Sequence, residues 1–137
     1  MNNSLSHIDQ SLPKAYKLCS LKKIETLYNH GSLIKVFPLR LTYFLEEPIG
    51  QKNEVCFEVL FSAPKKKFKN AHDRNYIKRL LREVLRKNKA PLEAHLLEIK
   101  KKLIFSITFV DKARPNYQIL EKKLTKLLDV LIREITP

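Results

Sequence analysis

Apolar residues spaced three and four positions apart predict four amphipathic helices along the chain. These helices cover residues 18–29, 70–89, 91–100 and 117–135. The second helix has an apolar stripe that consists of Ile77, Leu80, Leu81, Val84 and Leu85. Asn70 stands at its start as an N-cap candidate, and Pro91 prevents it from continuing unchanged.

Runs rich in β-branched and aromatic residues predict strands over residues 32–46, 54–62 and 101–110. In the first run, alternation places Phe37, Leu39, Leu41 and Tyr43 on one face, and Arg40 and Thr42 on the other. Pro38 cannot donate to a ladder, so we expect an edge strand, a bulge or a break into two strands there. Helices and strands mixed around one sheet predict an α+β fold, a two-layer sandwich on a mixed sheet of about four strands.

The chain of 137 residues has the length of one domain. Residues 1–12 are polar and aperiodic and predict a flexible tail, which leaves 13–137 as a single domain. The N-terminal stretch lacks the pattern of a signal peptide, and the longest apolar run, 103–110, is too short to span a membrane. Cys19 and Cys56 are far apart, as in proteins of a reducing compartment, so we expect a cytoplasmic protein.

Positive charge is concentrated in one stretch of the chain. Of the net charge of +13, the segment 65–89 supplies +9, with eleven basic residues against Asp73 and Glu83. The basic residues are Lys65, Lys66, Lys67, Lys69, Arg74, Lys78, Arg79, Arg82, Arg86, Lys87 and Lys89. A solvated face on an ordinary amphipathic helix is the plainer interpretation, but this excess favours a polyanionic partner such as nucleic acid.

The sequence contains no pattern typical of a self-sufficient active site. Only two glycines, Gly31 and Gly50, are present, which excludes glycine-rich phosphate loops. The histidines lack a cysteine or carboxylate at metal-binding spacing, and no Ser/His/Asp arrangement is present; they are His7, His30, His72 and His95. Aromatic residues that could stack on unpaired bases are Tyr28, Phe37, Tyr43, Phe44 and Tyr117, although each alone is more often a core residue.

The segment 66–83 resembles the signature of the protein component of bacterial ribonuclease P, which is approximately K-K-x-G-x-A-x-x-R-N-R-x-K-R-x-x-R-E. The matching residues are Lys66, Lys67, Ala71, Arg74, Asn75, Lys78, Arg79, Arg82 and Glu83. Two positions depart from it, because Lys69 replaces the usual glycine and Tyr76 replaces the second arginine. The order of elements and the length also agree, so the resemblance covers about residues 12–135.

This resemblance implies the small subunit of a ribonucleoprotein that removes the 5′ leader from precursor tRNA. It implies that an RNA subunit holds the Mg²⁺ ions and performs the hydrolysis, that the protein alone binds no metal, and that one protein monomer joins one RNA. It also implies a left-handed β-α-β crossover, against the usual right-handed rule. The RNA-binding residues implied by position are Lys66, Lys67, Arg74, Asn75, Lys78, Arg79 and Arg82. We add Arg86, because it continues the line of Arg74, Lys78 and Arg82 along the helix. A cleft on the sheet face would hold the single-stranded leader, with Tyr28 and Tyr117 at positions that line it. Tyr43 or Leu41 would also face it, depending on the strand register near Pro38.

Three other functions compete with this one, and the first is the main alternative. A general RNA-binding or ribosome-associated protein would show the same charge. A DNA-binding helix-turn-helix protein would need its recognition helix after a tight turn, whereas this basic helix follows a strand, so we expect no DNA partner. A protein-only nuclease would need clustered carboxylates for metal ions, and the acids here are scattered.

Overall fold

The computed structural model describes residues 12–51 and 54–137. Within this part, the chain forms a short 3₁₀ turn (Lys14–Tyr16), four α-helices and four strands. The helices are α1 (Leu21–His30), α2 (Ala71–Asn88), α3 (Ala90–Ile99) and α4 (Tyr117–Ile135), and the strands are β1 (Ser32–Val36), β2 (Leu39–Glu46), β3 (Phe57–Ser62) and β4 (Lys102–Phe109). The α+β prediction is therefore confirmed. The predicted tail lies outside the described residues except for Leu12.

The sheet is mixed and has the strand order β1-β2-β4-β3. The central strand β4 pairs antiparallel with β2 and parallel with β3, and nearly all of its side chains are buried. Two parallel neighbours require a crossover connection, which α2 and α3 provide between β3 and β4. The basic helix is therefore part of the crossover that joins β3 to β4. The left-handed sense of this crossover stays a prediction.

The predicted strand 32–46 is two strands. The turn at Phe37 and Pro38 separates β1 from β2, which pair antiparallel in a register that sets Val36 opposite Leu39. Of the alternatives at Pro38, the break is the one observed. The turn also removes Phe37 from the predicted face: Leu39 and Leu41 are buried, whereas Phe37 is 65% exposed, which corrects the prediction.

The two faces of the sheet differ in what covers them. One face carries the main core, in which the side chains of Leu41, Val59 and Phe105 join the apolar stripes of α2, α3 and α4. On the opposite face, α1 covers Ile104 with Leu27, in a smaller apolar cluster. We call this second side the α1 face.

Gly31 allows α1 to end close to β2. Gly31 has a φ of −73°, which any residue can adopt. It does not take the left-handed conformation that is common for a glycine at a helix C-terminus. A Cβ at this position would meet the Leu27 carbonyl oxygen and would lie 2.7 Å from Cγ2 of Thr42. The missing side chain therefore matters because the helix end and the sheet touch there.

Ion pairs hold α1 against the sheet. The Lys23 Nζ atom on α1 lies 3.1 Å from a Glu46 carboxylate oxygen and 3.2 Å from one of Glu58, and Lys102 lies 2.8 Å from Glu58. Lys102 is only 5% exposed, so its ammonium depends on Glu58 and on the more distant Glu54 carboxylate at 3.6 Å. Burial of Glu58 opposes ionisation, but hydrogen bonds from Lys102 and Lys23 lower its pKa below the ordinary value of 4.5.

We expect Glu58→Gln to lower the free energy of unfolding at pH 7 by about 2–3 kcal/mol, because Lys102 and Lys23 lose a charged partner. A carboxylate whose pKa is lowered by folding stabilises the protein above its ordinary pKa, and this contribution is lost as the pH falls through the lowered value. The difference between the native protein and the variant should therefore shrink in acid. Urea denaturation at pH 7 and at successively lower pH measures it.

The exposed carboxylate of Glu25, also on α1, provides the control. Glu25→Gln should change stability little at either pH. A gap between the native protein and Glu58→Gln that does not vary with pH would contradict this account of the ion pairs.

Candidate nucleic-acid interface

The basic segment before α2, residues 65–70, is a loop, which we call the lysine loop. Phe68 anchors it, because its ring is buried and packs against Phe109 with a centroid separation of 6.0 Å. The lysines around this anchor, Lys65, Lys66, Lys67 and Lys69, are all exposed. Asn70 caps the helix as predicted, since its side-chain oxygen accepts from the His72 backbone N–H at 2.8 Å. The structure therefore presents several lysines at the N-terminal end of α2.

Arg74 forms hydrogen bonds to the backbone of the lysine loop, which the sequence did not indicate. Its Nη1 donates to the carbonyl oxygens of Phe68 at 2.7 Å and of Lys69 at 2.9 Å. Guanidinium groups suit such multiple contacts because several N–H groups point outward in one plane. Arg74 thus holds the lysine loop against the first turn of α2 and has fewer donors left for a phosphate.

The exposed flank of α2 borders a groove. Asn75, Lys78 and Arg82 line one wall, β3 residues including Phe61 form the floor, and the segment 12–17 forms the other wall. The groove has a volume of about 310 Å³. The Arg82 guanidinium carbon lies 6.0 Å from the centroid of the Phe61 ring. We call this feature the α2 groove; three of the predicted RNA-binding residues meet in it, and Arg79 stands exposed on the same helix.

A polar cluster holds the segment 12–17 in place. The Tyr16 hydroxyl donates to Oε2 of Glu93 at 2.6 Å, and the Lys89 ammonium lies 2.8 Å from Oε1 of the same carboxylate. Lys89 also lies 5.4 Å from the Tyr16 ring centroid. Burial and the Glu93 charge raise the pKa of the adjacent Cys56 thiol to about 11, which keeps it neutral. Lys89, counted in the basic segment, is 2% exposed and is part of the structure of this wall.

Arg86 differs from the cations of the α2 groove. Its guanidinium pairs with Glu83 through contacts of 2.5 and 3.1 Å, and this pairing lowers the pKa of the Glu83 carboxyl. On the other flank of α2, Lys87 lies 5.5 Å from the Tyr117 ring centroid and Arg114 lies 4.1 Å from that of Tyr76. Lys78 and Arg82, the two cations of α2 that line the groove, pair with no carboxylate among the described residues.

The three tyrosines predicted to line one leader cleft do not lie together. Tyr28 lies on α1 and is 56% exposed. Tyr43 and Tyr117 are partly buried against the main core, on the opposite side of the sheet from α1. Tyr43 lies on the same face of β2 as the buried Leu39 and Leu41, because side chains alternate along a strand, and Tyr117 lies on α4, which packs on that face.

Polar side chains continue the α1 face beyond the helix. The sheet register aligns Thr42 with Ser106, and Arg40 with Thr108 in the next row. These residues alternate with the core positions of β2 and β4, so they belong to the same face as Ile104. Arg40 is exposed at the end of this face. Ser106 is buried, whereas Thr42 and Thr108 are partly exposed, so the α1 face offers two hydroxyl groups and the Arg40 cation.

Sequence reasoning missed Phe61, Tyr16 and Arg114. Phe61 lies in the nearly continuous apolar run 54–62, which predicts a core residue. Its position beside Arg82 depends on how α2 packs over β3. Tyr16 contacts Glu93 across 77 positions of the chain. Arg114 lies in a turn, outside every periodic segment. The sequence offered one indication of the Arg114 contact, which is Tyr76. Tyr76 stands at a position where the family motif has an arginine, and an aromatic ring there can bind a cation.

Within the described residues, no cluster of three or more His, Cys, Asp or Glu side chains is placed to hold a metal ion. The same part of the chain has no helix with the length and apolar character needed to cross a membrane.

We expect Arg74→Lys to loosen the lysine loop, because a lysine keeps the charge but cannot hold two carbonyl oxygens in the same planar arrangement. The free energy of unfolding should fall by about 1–2 kcal/mol. Amide hydrogen exchange between Lys65 and Asn70 should become faster. Arg79→Lys is the control, since Arg79 is an exposed arginine on the same helix. Equal melting and equal exchange in the two variants would show that Arg74 does not order the loop.

Comparison with known proteins connects this geometry to a family. The sequence model of the family described as Ribonuclease P matches residues 12–131. The ribonuclease P protein component of Porphyromonas gingivalis strain W83 is 32% identical over 118 residues, which are 85% of this chain and 83% of that protein. The protein component of Chlorobaculum tepidum is 34% identical over 79 residues, 58% of this chain and 51% of that protein.

Solved structures show the same fold. The RNase P protein of Staphylococcus aureus matches with a TM-score of 0.63 at 18% identity, over 86% of this chain and 96% of that chain. A mutant of the S. aureus protein with defective mRNA degradation activity matches with a TM-score of 0.63 at 19% identity, over 86% of this chain and 89% of that chain.

Proposed function

Since the chain belongs to the ribonuclease P protein family, it is a subunit of a tRNA-processing nuclease with an RNA partner, and we propose that it binds the catalytic RNA subunit and the 5′ leader of precursor tRNA. In this proposal the RNA performs the hydrolysis and the protein supplies positive charge and leader contacts. The chemistry of the exposed side chains supports it, because the α2 groove contains phosphate-binding groups.

The observation that carries this proposal is the uncompensated charge along α2. Lys78, Arg79 and Arg82 form no ion pair with any carboxylate of the described residues, whereas buried or flanking cations such as Lys89 and Arg86 do. Like charges four positions apart on a helix repel one another. A phosphate backbone would relieve this repulsion and release its own counterions, so α2 is suited to dock on the catalytic RNA.

The α1 face supports the second part of the proposal. An unpaired base can stack on an exposed aromatic ring such as Tyr28, while Thr42 and Arg40 can bind sugar and phosphate oxygens. We assign the leader to this face. Of the three predicted tyrosines, Tyr28 is the one that remains in the proposed leader site, since Tyr43 and Tyr117 pack against the main core.

One protein monomer would bind one catalytic RNA in the cytoplasm. The Mg²⁺ ions of the assembly would be held mainly by the RNA, where they would activate the attacking water. The residues of this chain would neutralise phosphates and orient the substrate.

The purified protein alone should leave precursor tRNA intact, and it should stimulate cleavage by the cognate RNA at low Mg²⁺. The reason is that lysine and arginine side chains can replace part of the counterion charge that the RNA otherwise takes from Mg²⁺. Gel assays of leader removal across a Mg²⁺ series measure the effect. A variant carrying Lys78→Ala and Arg82→Ala should require more Mg²⁺ than the native protein, whereas Lys126→Ala, which removes an exposed lysine of α4, should not.

Cleavage of precursor tRNA by the protein free of RNA would exclude the proposed division of labour. A protein that binds RNA but never stimulates the cognate RNA would instead be a general RNA-binding protein.

Arg82→Ala should also change the salt dependence of binding to the catalytic RNA. Each phosphate neutralised contributes about 0.9 to the slope of log affinity against log salt for a duplex. The variant should therefore lose about one unit of slope or less. Arg133→Ala, which removes an exposed arginine of α4, is the matched control. Identical slopes for all three proteins would place Arg82 outside the RNA contact.

A further inference from the structure

An exposed aromatic ring surrounded by cations lies at the turn between β1 and β2. Phe37 is 65% exposed at this turn. It borders a hollow of about 280 Å³ that Lys35, Arg40 and Lys67 also line, with Leu39 and Val110 at its base. The hollow is separate from the α2 groove, with which it shares no residue.

The chain builds this hollow from three elements. The hairpin register sets Lys35 directly opposite Arg40, so two like charges face each other across the strand pair. Such a pair destabilises a sheet unless an anion lies near it. Lys67 comes from the lysine loop, and its Nζ donates to the carbonyl oxygen of Val110. The Val110 N–H in turn donates to the Pro38 carbonyl oxygen at 2.8 Å, which ties the turn to the end of β4.

No internal anion compensates these charges within the described residues. Neither Lys35, Arg40 nor Lys67 forms an ion pair with a carboxylate there. Three cations and one exposed ring are the groups that single-stranded nucleic acid uses, because phosphates meet the cations and a base stacks on the ring. A protein partner would need an acidic segment and would gain less from the exposed ring.

We propose that this hollow binds an unpaired nucleotide of the 5′ leader, with its base stacked on Phe37 and its phosphate near Lys35 and Arg40. This inference rests on the proposed function. The leader is the source favoured by position, since Arg40 belongs to the α1 face and the hollow lies at the end of that face. Between Ser32, beside the end of α1, and Val36 the strand advances roughly 13 Å. A leader of a few nucleotides that passes Tyr28 can therefore reach Phe37.

A single tryptophan provides a direct test, because the chain contains none. Phe37→Trp keeps a stacking surface and reports on it by fluorescence. We expect the emission of the variant, assembled with the catalytic RNA, to be quenched when leader-bearing precursor tRNA is added, and to stay unchanged with mature tRNA. Equal responses to both tRNAs, or quenching complete on addition of the catalytic RNA alone, would overturn the assignment to the leader.

Removal of the ring measures its contribution to binding. Phe37→Ala should weaken the affinity of the assembled enzyme for precursor tRNA with a leader of about ten nucleotides roughly ten-fold. It should have no effect on mature tRNA or on a leader shortened to its last nucleotide. Leu97→Ala, which truncates an apolar side chain of α3 that is 70% exposed, is the matched control. Unchanged affinity for the long leader, with melting also unchanged, would overturn the proposal.

The same preparations separate this inference from the proposed function. Replacement of Lys78 and Arg82 tests docking on the catalytic RNA, and Tyr28→Ala tests the leader site next to α1. If those variants weaken RNA docking and leader binding while Phe37→Ala changes neither, the proposed function stands and only the assignment of the hollow to the leader is excluded. If the native protein does not stimulate cleavage by the cognate RNA, both the proposed function and the assignment of the hollow are excluded.

Discussion

Burial of the apolar stripe of α2 against the sheet determines where every cation of that helix points. Ile77, Leu81 and Leu85 are fully buried, and their burial fixes the rotation of the helix about its axis. Each such side chain stabilises the fold by about 1.5–3 kcal/mol, more than the repulsion between neighbouring cations on a helix surface, which is a few tenths of a kcal/mol per pair. The core therefore keeps the charges together, and Lys78 and Arg82 must line the groove.

The fold handles its positive charge in two ways. Some cations are paired inside the structure: Lys102 with Glu58, Lys89 with Glu93, and Arg86 with Glu83. Buried or partly buried cations need such partners because an isolated charge loses its hydration. The other cations keep their hydration at the surface of the lysine loop and the α2 groove. The division leaves an uncompensated surface whose partner must come from outside the chain.

Elements with a long periodic pattern were predictable from the sequence. The helix α2, its Asn70 cap, the buried strand β4 and the helix α4 all agree with the structure, because local residue spacing determines them. The site required more than local spacing. Tyr28 and Tyr43 lie on opposite sides of the sheet because α1 packs on the face away from the main core, and Lys89 is buried where Glu93 and Tyr16 contact it. Such facts depend on contacts between distant positions, which a single sequence does not contain.

The two departures from the family signature are compatible with this geometry. Among the described residues other than glycine, Lys100 alone has a positive φ, so Lys69 occupies a conformation open to any side chain. Its carbonyl oxygen, present with any residue, is the group that Arg74 binds. At the second departure, Tyr76 supplies a ring in place of a cation, and Arg114 sets its guanidinium 4.1 Å from the ring centroid. A guanidinium stacked in this way keeps its N–H groups directed outward in the plane, so positive charge persists beside position 76 although the motif arginine is absent.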